Sequence, residues 1–149
     1  MILITGSAGY IGSHLCKYFK KKKIKYIGID NLEYSNYFNI FDKKKFFKVC
    51  ISDTEKLSKI FNKFKIETII HTAAFSYVLD AENNKAKYKL NNIDKTKIFI
   101  DFIINNKVKN IVFLSSSNVY TENSKNTNIK ETGKIVPKNY YGNTKIKIE

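Results

Sequence analysis

Apolar residues in this chain come in short runs, separated by stretches with a helical repeat, and the alternation begins with the first residues. Ile2 to Ile4, Tyr26 to Ile29, Phe46 to Cys50, Thr68 to Ile70 and Ile111 to Leu114 are short and rich in β-branched or aromatic side chains, and they predict strands. Ile11, Leu15 and Phe19 form one stripe between them. Leu57, Ile60, Phe61 and Phe64 form a second, and Ile98, Phe99, Phe102 and Ile103 a third, so each spacing predicts a helix with one apolar face. Ser52-Asp53-Thr54-Glu55 has the form of a capping box and sets a strand-to-helix boundary just after Ile51. Strands that alternate with helices pair in parallel through right-handed crossovers, which predicts an α/β fold with a doubly wound parallel sheet.

Composition narrows the class. A chain of 149 residues, 43% of them hydrophobic, has room for one domain with a buried core. It opens Met1-Ile2-Leu3-Ile4-Thr5-Gly6, without a basic segment followed by a long apolar one, and no later run reaches the length of a membrane span. A cytoplasmic protein without a membrane partner is therefore expected. Cys16 and Cys50 lie far apart with no metal-ligand spacing, so neither a disulfide nor a metal site is expected. The net charge of +14 could mark a nucleic-acid binder, but all 27 basic residues are lysine and they are scattered. Arginine, the usual reader of guanine and phosphate, is absent, so no nucleic-acid partner is expected and Lys20 to Lys23 and Lys43 to Lys45 read as solvated helix ends and loops.

Three motifs carry chemistry. Thr5-Gly6-Ser7-Ala8-Gly9-Tyr10-Ile11-Gly12 joins the first strand to the first helix and suits a pyrophosphate. Gly6 permits the tight turn, Gly9 lets the backbone approach the phosphates, Gly12 lets the helix close on the strand, and the helix N-terminus faces the anion. Asp30 ends the second strand about 20 residues beyond, where a carboxylate accepts from ribose hydroxyls and repels a 2′-phosphate, which favours NAD over NADP. Tyr141-Gly142-Asn143-Thr144-Lys145 places a phenol and an ammonium on one face of a helix, where the ammonium is expected to favour the phenolate as a proton acceptor. Ser115-Ser116-Ser117-Asn118-Val119-Tyr120 follows the fifth strand, at the end where parallel sheets place ligand-binding groups.

Together these segments resemble the extended short-chain dehydrogenase/reductases, and among them the branch of NAD-dependent nucleotide-sugar 4-epimerases that act on UDP-hexoses. Asp30-Asn31-Leu32, His71-Thr72-Ala73-Ala74, Tyr77-Val78, Lys87-Tyr88 with Asn91-Asn92-Ile93, and Pro137 ahead of the Tyr-Gly-x-Thr-Lys motif extend the resemblance over essentially the whole chain. The resemblance implies a Rossmann-like fold with Ser116 and Tyr141 as the catalytic pair and Lys145 on the nicotinamide ribose, lowering the tyrosine pKa. Gly6, Gly9, Tyr10, Ile11, Gly12, Asp30, Asn31, Cys50, Ile51, Ala73, Ala74 and Asn91, with Tyr141 and Lys145, would bind the cofactor. His71 is read as a packed residue at a strand end.

The chain departs from the pattern at Cys50, where an Asp usually meets the adenine, and at Lys95 and Thr121, which replace glycines. The implied activity is C4 epimerisation of UDP-glucose or UDP-galactose through a 4-keto sugar, by a homodimer when full length. A sugar-nucleotide 4,6-dehydratase or decarboxylase is the alternative, along with a non-catalytic NAD-binding fragment. In dehydratases an acidic pair follows the catalytic Ser or Thr, and here those positions are Ser117 and Asn118. Residues 1–149 are thus expected to form an NAD-binding domain truncated at its C-terminal side, since the family continues for roughly as many residues again and supplies the sugar subdomain there.

Overall fold

Strands β1 (Ile2–Thr5), β2 (Tyr26–Asp30), β3 (Phe46–Lys48), β4 (Thr68–His71) and β5 (Asn110–Phe113) are all parallel, in the order β3-β2-β1-β4-β5. This is a computed structural model, and it describes residues 1–120 and 129–149. The strand order reverses at β1, which makes the sheet doubly wound and Rossmann-like, as the strand and helix patterns predict. Thr5 is level with both Ile29 and His71, so the C-terminal ends of the three central strands share one edge. Residues 121–128, and with them Thr121, lie outside the described residues.

Each face of the sheet has its own helices. Leu3, Ile27, Ile29 and Ile69 pack with Leu57 and Ile60 of α2 (Thr54–Lys63) and with Phe99, Phe102 and Ile103 of α5 (Lys95–Asn105). Ile4 and Tyr26 pack with Cys16 and Phe19 of α1 (Tyr10–Lys21). Each such side chain, fully buried, contributes about 1.5–3 kcal/mol from removal of apolar area from water.

Three local expectations are corrected. The buried row of α1 is Gly12, Cys16 and Phe19, whereas Ile11 is half exposed, because the helix closes on the strand through its glycine face. In α5 the buried row is Thr96, Phe99, Phe102 and Ile103, and Ile98 lies outside it. The N-cap of α2 is Asp53, not Ser52: its carboxylate accepts from Lys56 N at 3.0 Å, while Glu55 pairs with Lys59 at 2.7 Å. The lysine run at the end of α1 does read as a helix stop, with Lys20 and Lys21 in the last turn and Lys23 left-handed at φ 55°.

Residues 1–149, expected as one dinucleotide-binding domain, group into two compact units, Met1–Ala74 with Lys95–Leu114 and Phe75–Asp94 with Ser115–Glu149. The first holds the sheet. The second contains α3 (Val78–Asn83), α4 (Lys85–Tyr88), a π-helical turn at Lys89–Asp94, a 3-10 turn at Ser117–Val119 and α6 (Tyr140–Ile146), around a core of Phe75, Ala81, Tyr88 and Tyr141. Among the described residues, no helix is long and apolar enough to cross a membrane, and no group of three or more His, Cys, Asp or Glu could hold a metal ion.

Candidate active site

In the first unit, backbone geometry makes the glycine-rich turn. Gly6 has φ 65°, in the region that favours glycine, and a Cβ there would lie 2.8 Å from the Ala73 backbone. A Cβ on Gly12 would lie 2.1 Å from the Gly6 carbonyl oxygen, so α1 can start this close to β1 only with glycine at that position. Gly9 is the N-cap of α1 and offers no side chain to it, and the first turn has no acidic residue. The first-turn amides of Tyr10, Ile11 and Gly12 therefore have no intrahelical acceptor and face outward with the positive end of the helix dipole, an arrangement that fits a pyrophosphate.

Asp30 is 6% exposed at the end of β2. Its Oδ2 accepts from Ala8 N at 3.0 Å and from the Ser35 hydroxyl at 3.1 Å, and its Oδ1 accepts from Leu32 N at 2.8 Å. A carboxylate has about four acceptor positions, so about one is left for a ligand donor. The carboxylate is thus fixed to the turn before any ligand arrives, and it still fits a ribose hydroxyl. Asn31 is turned to Glu33, with Glu33 N donating to its Oδ1 at 3.1 Å.

The remaining first-unit candidates divide. Cys50 is partly buried and its thiol lies 3.3 Å from the Ser52 hydroxyl. Ile51 is 7% exposed and belongs to the sheet core, so its side chain packs inward. Ala73 N donates to the Thr5 hydroxyl at 3.2 Å, and Ala73 and Ala74 are half-buried. His71 is 2% exposed, bonded through Nδ1 to the Thr5 hydroxyl at 2.8 Å and stacked on Phe99 and Phe113.

In the second unit the structure brings Ser116, Tyr141 and Lys145 together. The Asn118 backbone and side-chain amides both donate to Ser116 Oγ at 3.2 Å, and the Ser116 hydroxyl, its own proton uncommitted by these bonds, favours the ionised form of the Tyr141 phenol. Tyr141 is 8% exposed and Lys145 4%, with the ammonium 5.8 Å from the phenol ring centroid. Burial holds the Tyr141 pKa above its ordinary value, and the Ser116 hydrogen bond opposes it. This corrects the expectation of a lowered tyrosine: desolvation dominates, and Lys145 is itself pushed down to about 8 by burial, with Glu149 opposing. Asn91, 9% exposed in the π-helical turn, donates to Asn92 Oδ1 at 3.1 Å.

Sequence reasoning misses the amides that hold this group in place. Asn139 caps α6, its Oδ1 accepting from Gly142 N at 2.8 Å, while its Nδ2 donates to Asn118 Oδ1 at 2.8 Å. Asn92 donates to Phe75 O at 2.9 Å and to the Thr144 hydroxyl at 3.2 Å and accepts from Phe75 N at 2.8 Å. Gly142 is required by contact, since a Cβ would lie 2.4 Å from Asn118 O. An Asn just ahead of the Tyr-Gly-x-Thr-Lys helix is the available clue for Asn139; Asn92 is marked only by the resemblance of the Asn91-Asn92-Ile93 segment, which does not name its partners.

A doubly wound parallel sheet with a glycine turn at its switch point and a Ser-Tyr-Lys group defines a class, the dinucleotide-dependent α/β enzymes. The model of the NAD dependent epimerase/dehydratase family matches residues 2–149, and the chain belongs to that family. It is 38% identical to the bifunctional protein gal10 of Schizosaccharomyces pombe over 99% of this chain and 22% of that protein. It is 35% identical to the dTDP-D-glucose 4,6-dehydratase of Dictyostelium discoideum over 97% of this chain and 37% of that protein. The solved UDP-glucose 4-epimerase of Thermus thermophilus, in complex with NAD, superposes with a TM-score of 0.89 at 26% identity, over 97% of this chain and 47% of that one. The chain thus spans less than half the length of each of these proteins.

Proposed function

We propose that this chain is the NAD-binding part of a cytoplasmic nucleotide-sugar 4-epimerase that interconverts UDP-hexoses through a 4-keto sugar, as a homodimer when whole. The observation that carries the reading is the grouping of Ser116, Tyr141 and Lys145, in which the Ser116 hydroxyl favours the ionised phenol and Lys145 is buried one helical turn further on. In this reading the glycine turn and Asp30 hold the dinucleotide, and Asn31, Cys50, Ile51, Ala73, Ala74 and Asn91 line its path. Bound NAD would supply the acceptor and donor for the C4 hydride. In its ionised form, which the Ser116 hydroxyl favours against burial, Tyr141 would take the C4 hydroxyl proton as the ketone forms and return it when the hydroxyl is restored on the opposite face. Ser116 donates to the same oxygen. Lys145 orients the ribose.

The dehydratase relative supports a second reading within the family. Two features weigh for epimerisation: positions 117 and 118 are Ser and Asn, and Asn118 is committed to Ser116 and Asn139.

Calorimetry on the chain with NAD and NADP tests the cofactor assignment. Tighter binding of NAD is expected, because Asp30 repels a 2′-phosphate, and a folded chain that binds neither overturns it. In a polypeptide that also carries the family's sugar-binding portion, Tyr141→Phe is expected to retain NAD binding and to lower UDP-galactose to UDP-glucose conversion by at least about 100-fold. Loss of water from a dTDP-hexose instead would favour the dehydratase.

A further inference from the structure

Two hydroxyls of the first unit are buried without a hydrogen-bond partner in the protein, those of Ser7, 3% exposed, and Tyr26, 2% exposed. Both residues line the same cavity, together with Cys16, Gly28, Asp42 and Lys45. The space open there to the centre of a water molecule is ≈ 10 Å³, room for a single water. A Cβ on Gly28 would lie 2.5 Å from Ser7 Oγ, so the glycine in the middle of β2 keeps space for the serine hydroxyl.

The lining decides the chemistry of the occupant. Burial pushes both the Tyr26 phenol and the Cys16 thiol up to about 12, so both are protonated donors at neutral pH. Asp42 carries the negative charge, and it is paired with Lys20 at 3.4 Å, while the Lys45 ammonium lies 4.6 Å from the Tyr26 ring centroid. Charges of both signs are thus present around the cavity, which favours neither an anion nor a metal cation. A neutral molecule of this size that both donates and accepts is water.

We propose that this cavity holds one ordered water that joins Ser7 Oγ to Tyr26 Oη and so ties the glycine-rich turn to β2. An unpaired buried hydroxyl lowers the folded-to-unfolded ratio by roughly five- to a hundredfold, a loss that a shared water relieves at both positions at once.

The test is a cycle of near-isosteric variants of the full chain, Ser7→Ala, Tyr26→Phe and the double, followed by chemical unfolding, with no dinucleotide present. With the bridging water, each single variant lowers the folded-to-unfolded ratio by about fivefold, and the double costs less than the product of the two. A dry cavity gives the opposite sign, because each substitution then removes an unsatisfied group and stabilises the fold. Multiplicative losses would give each hydroxyl its own separate partner and overturn the shared water. A crystal structure with ordered solvent supplies the second measurement: density within hydrogen-bond reach of both oxygens is expected, and a clear map without it overturns the proposal.

Discussion

The glycine turn of the first unit and the Ser116-Tyr141-Lys145 group of the second are both precise, but by different means. The turn is built from backbone: Gly6 and Gly12 leave no space for a side chain, and the helix supplies amides. The second group is built from side-chain amides, with Asn139 holding Asn118, Asn118 holding Ser116, and Asn92 holding Thr144. They differ electrostatically too. The turn and the segment after β2 together fix a carboxylate through three hydrogen bonds, one from Ala8 and two from Leu32 and Ser35, whereas α6 buries a lysine whose charge is disfavoured. Backbone construction gives up chain flexibility at a few positions, while side-chain construction depends on residues brought from distant parts of the sequence.

Alanine at the two contact glycines tests this contrast with the largest expected effect. Gly12→Ala and Gly142→Ala each push a Cβ into a carbonyl oxygen, at 2.1 Å and 2.4 Å, and each is expected to cost about 3 kcal/mol in chemical unfolding. The contrast predicts that Gly142→Ala also separates Ser116 from Tyr141, seen as a changed tyrosine titration, and that Gly12→Ala leaves that titration alone. A common response would erase the distinction.

Lys145→Met is next. The folded pKa of Lys145, about 8, lies below its ordinary 10.5, so the unfolded chain binds more protons between these values and stability rises with pH across that window. Cys16, raised from 9.0 to about 12, and Tyr26, raised from 10.0 to about 12, act in the opposite sense, losing stability as pH rises above 9 and 10. The difference between variant and parent isolates the lysine: Lys145→Met is expected to be more stable by at most about 3 kcal/mol below pH 8, with the gain gone above 10.5. Thermal melts from about pH 7 to about pH 10 measure it, and a pH-independent difference would show that the lysine stays charged in the fold.

The smallest effect compares two helix caps. Asp53→Ala removes one cap bond and is expected to cost about 1 kcal/mol, whereas Asn139→Ala removes a cap and the support of Asn118, for about 2 kcal/mol. Equal losses in urea unfolding would mean that the amide chain contributes nothing beyond capping.

The same contrast explains what can be read from sequence. The strands are legible to within about a residue or two because short apolar runs bounded by polar turns leave few other solutions, and the glycine turn because its requirements are local. Ile11 and Ile98 mislead because periodicity cannot say that Gly12 or Thr96 faces the sheet. The direction of the tyrosine shift escapes sequence reading because spacing shows that Lys145 is near and not that both groups are buried. The Asn92, Asn118 and Asn139 arrangement is invisible, since its partners lie up to 52 positions apart and no local pattern joins them.

Asp30 carries a kinetic consequence. Its three internal hydrogen bonds mean that a ligand meets an acceptor already aimed, so capture involves no search by this side chain. Of the three donors the Ser35 hydroxyl alone is a side chain, so a diol that offered two donors would take the remaining acceptor position and exchange with that hydroxyl. The first contact would be an addition and the second an exchange, so arrival would be governed by the former and residence time by the latter.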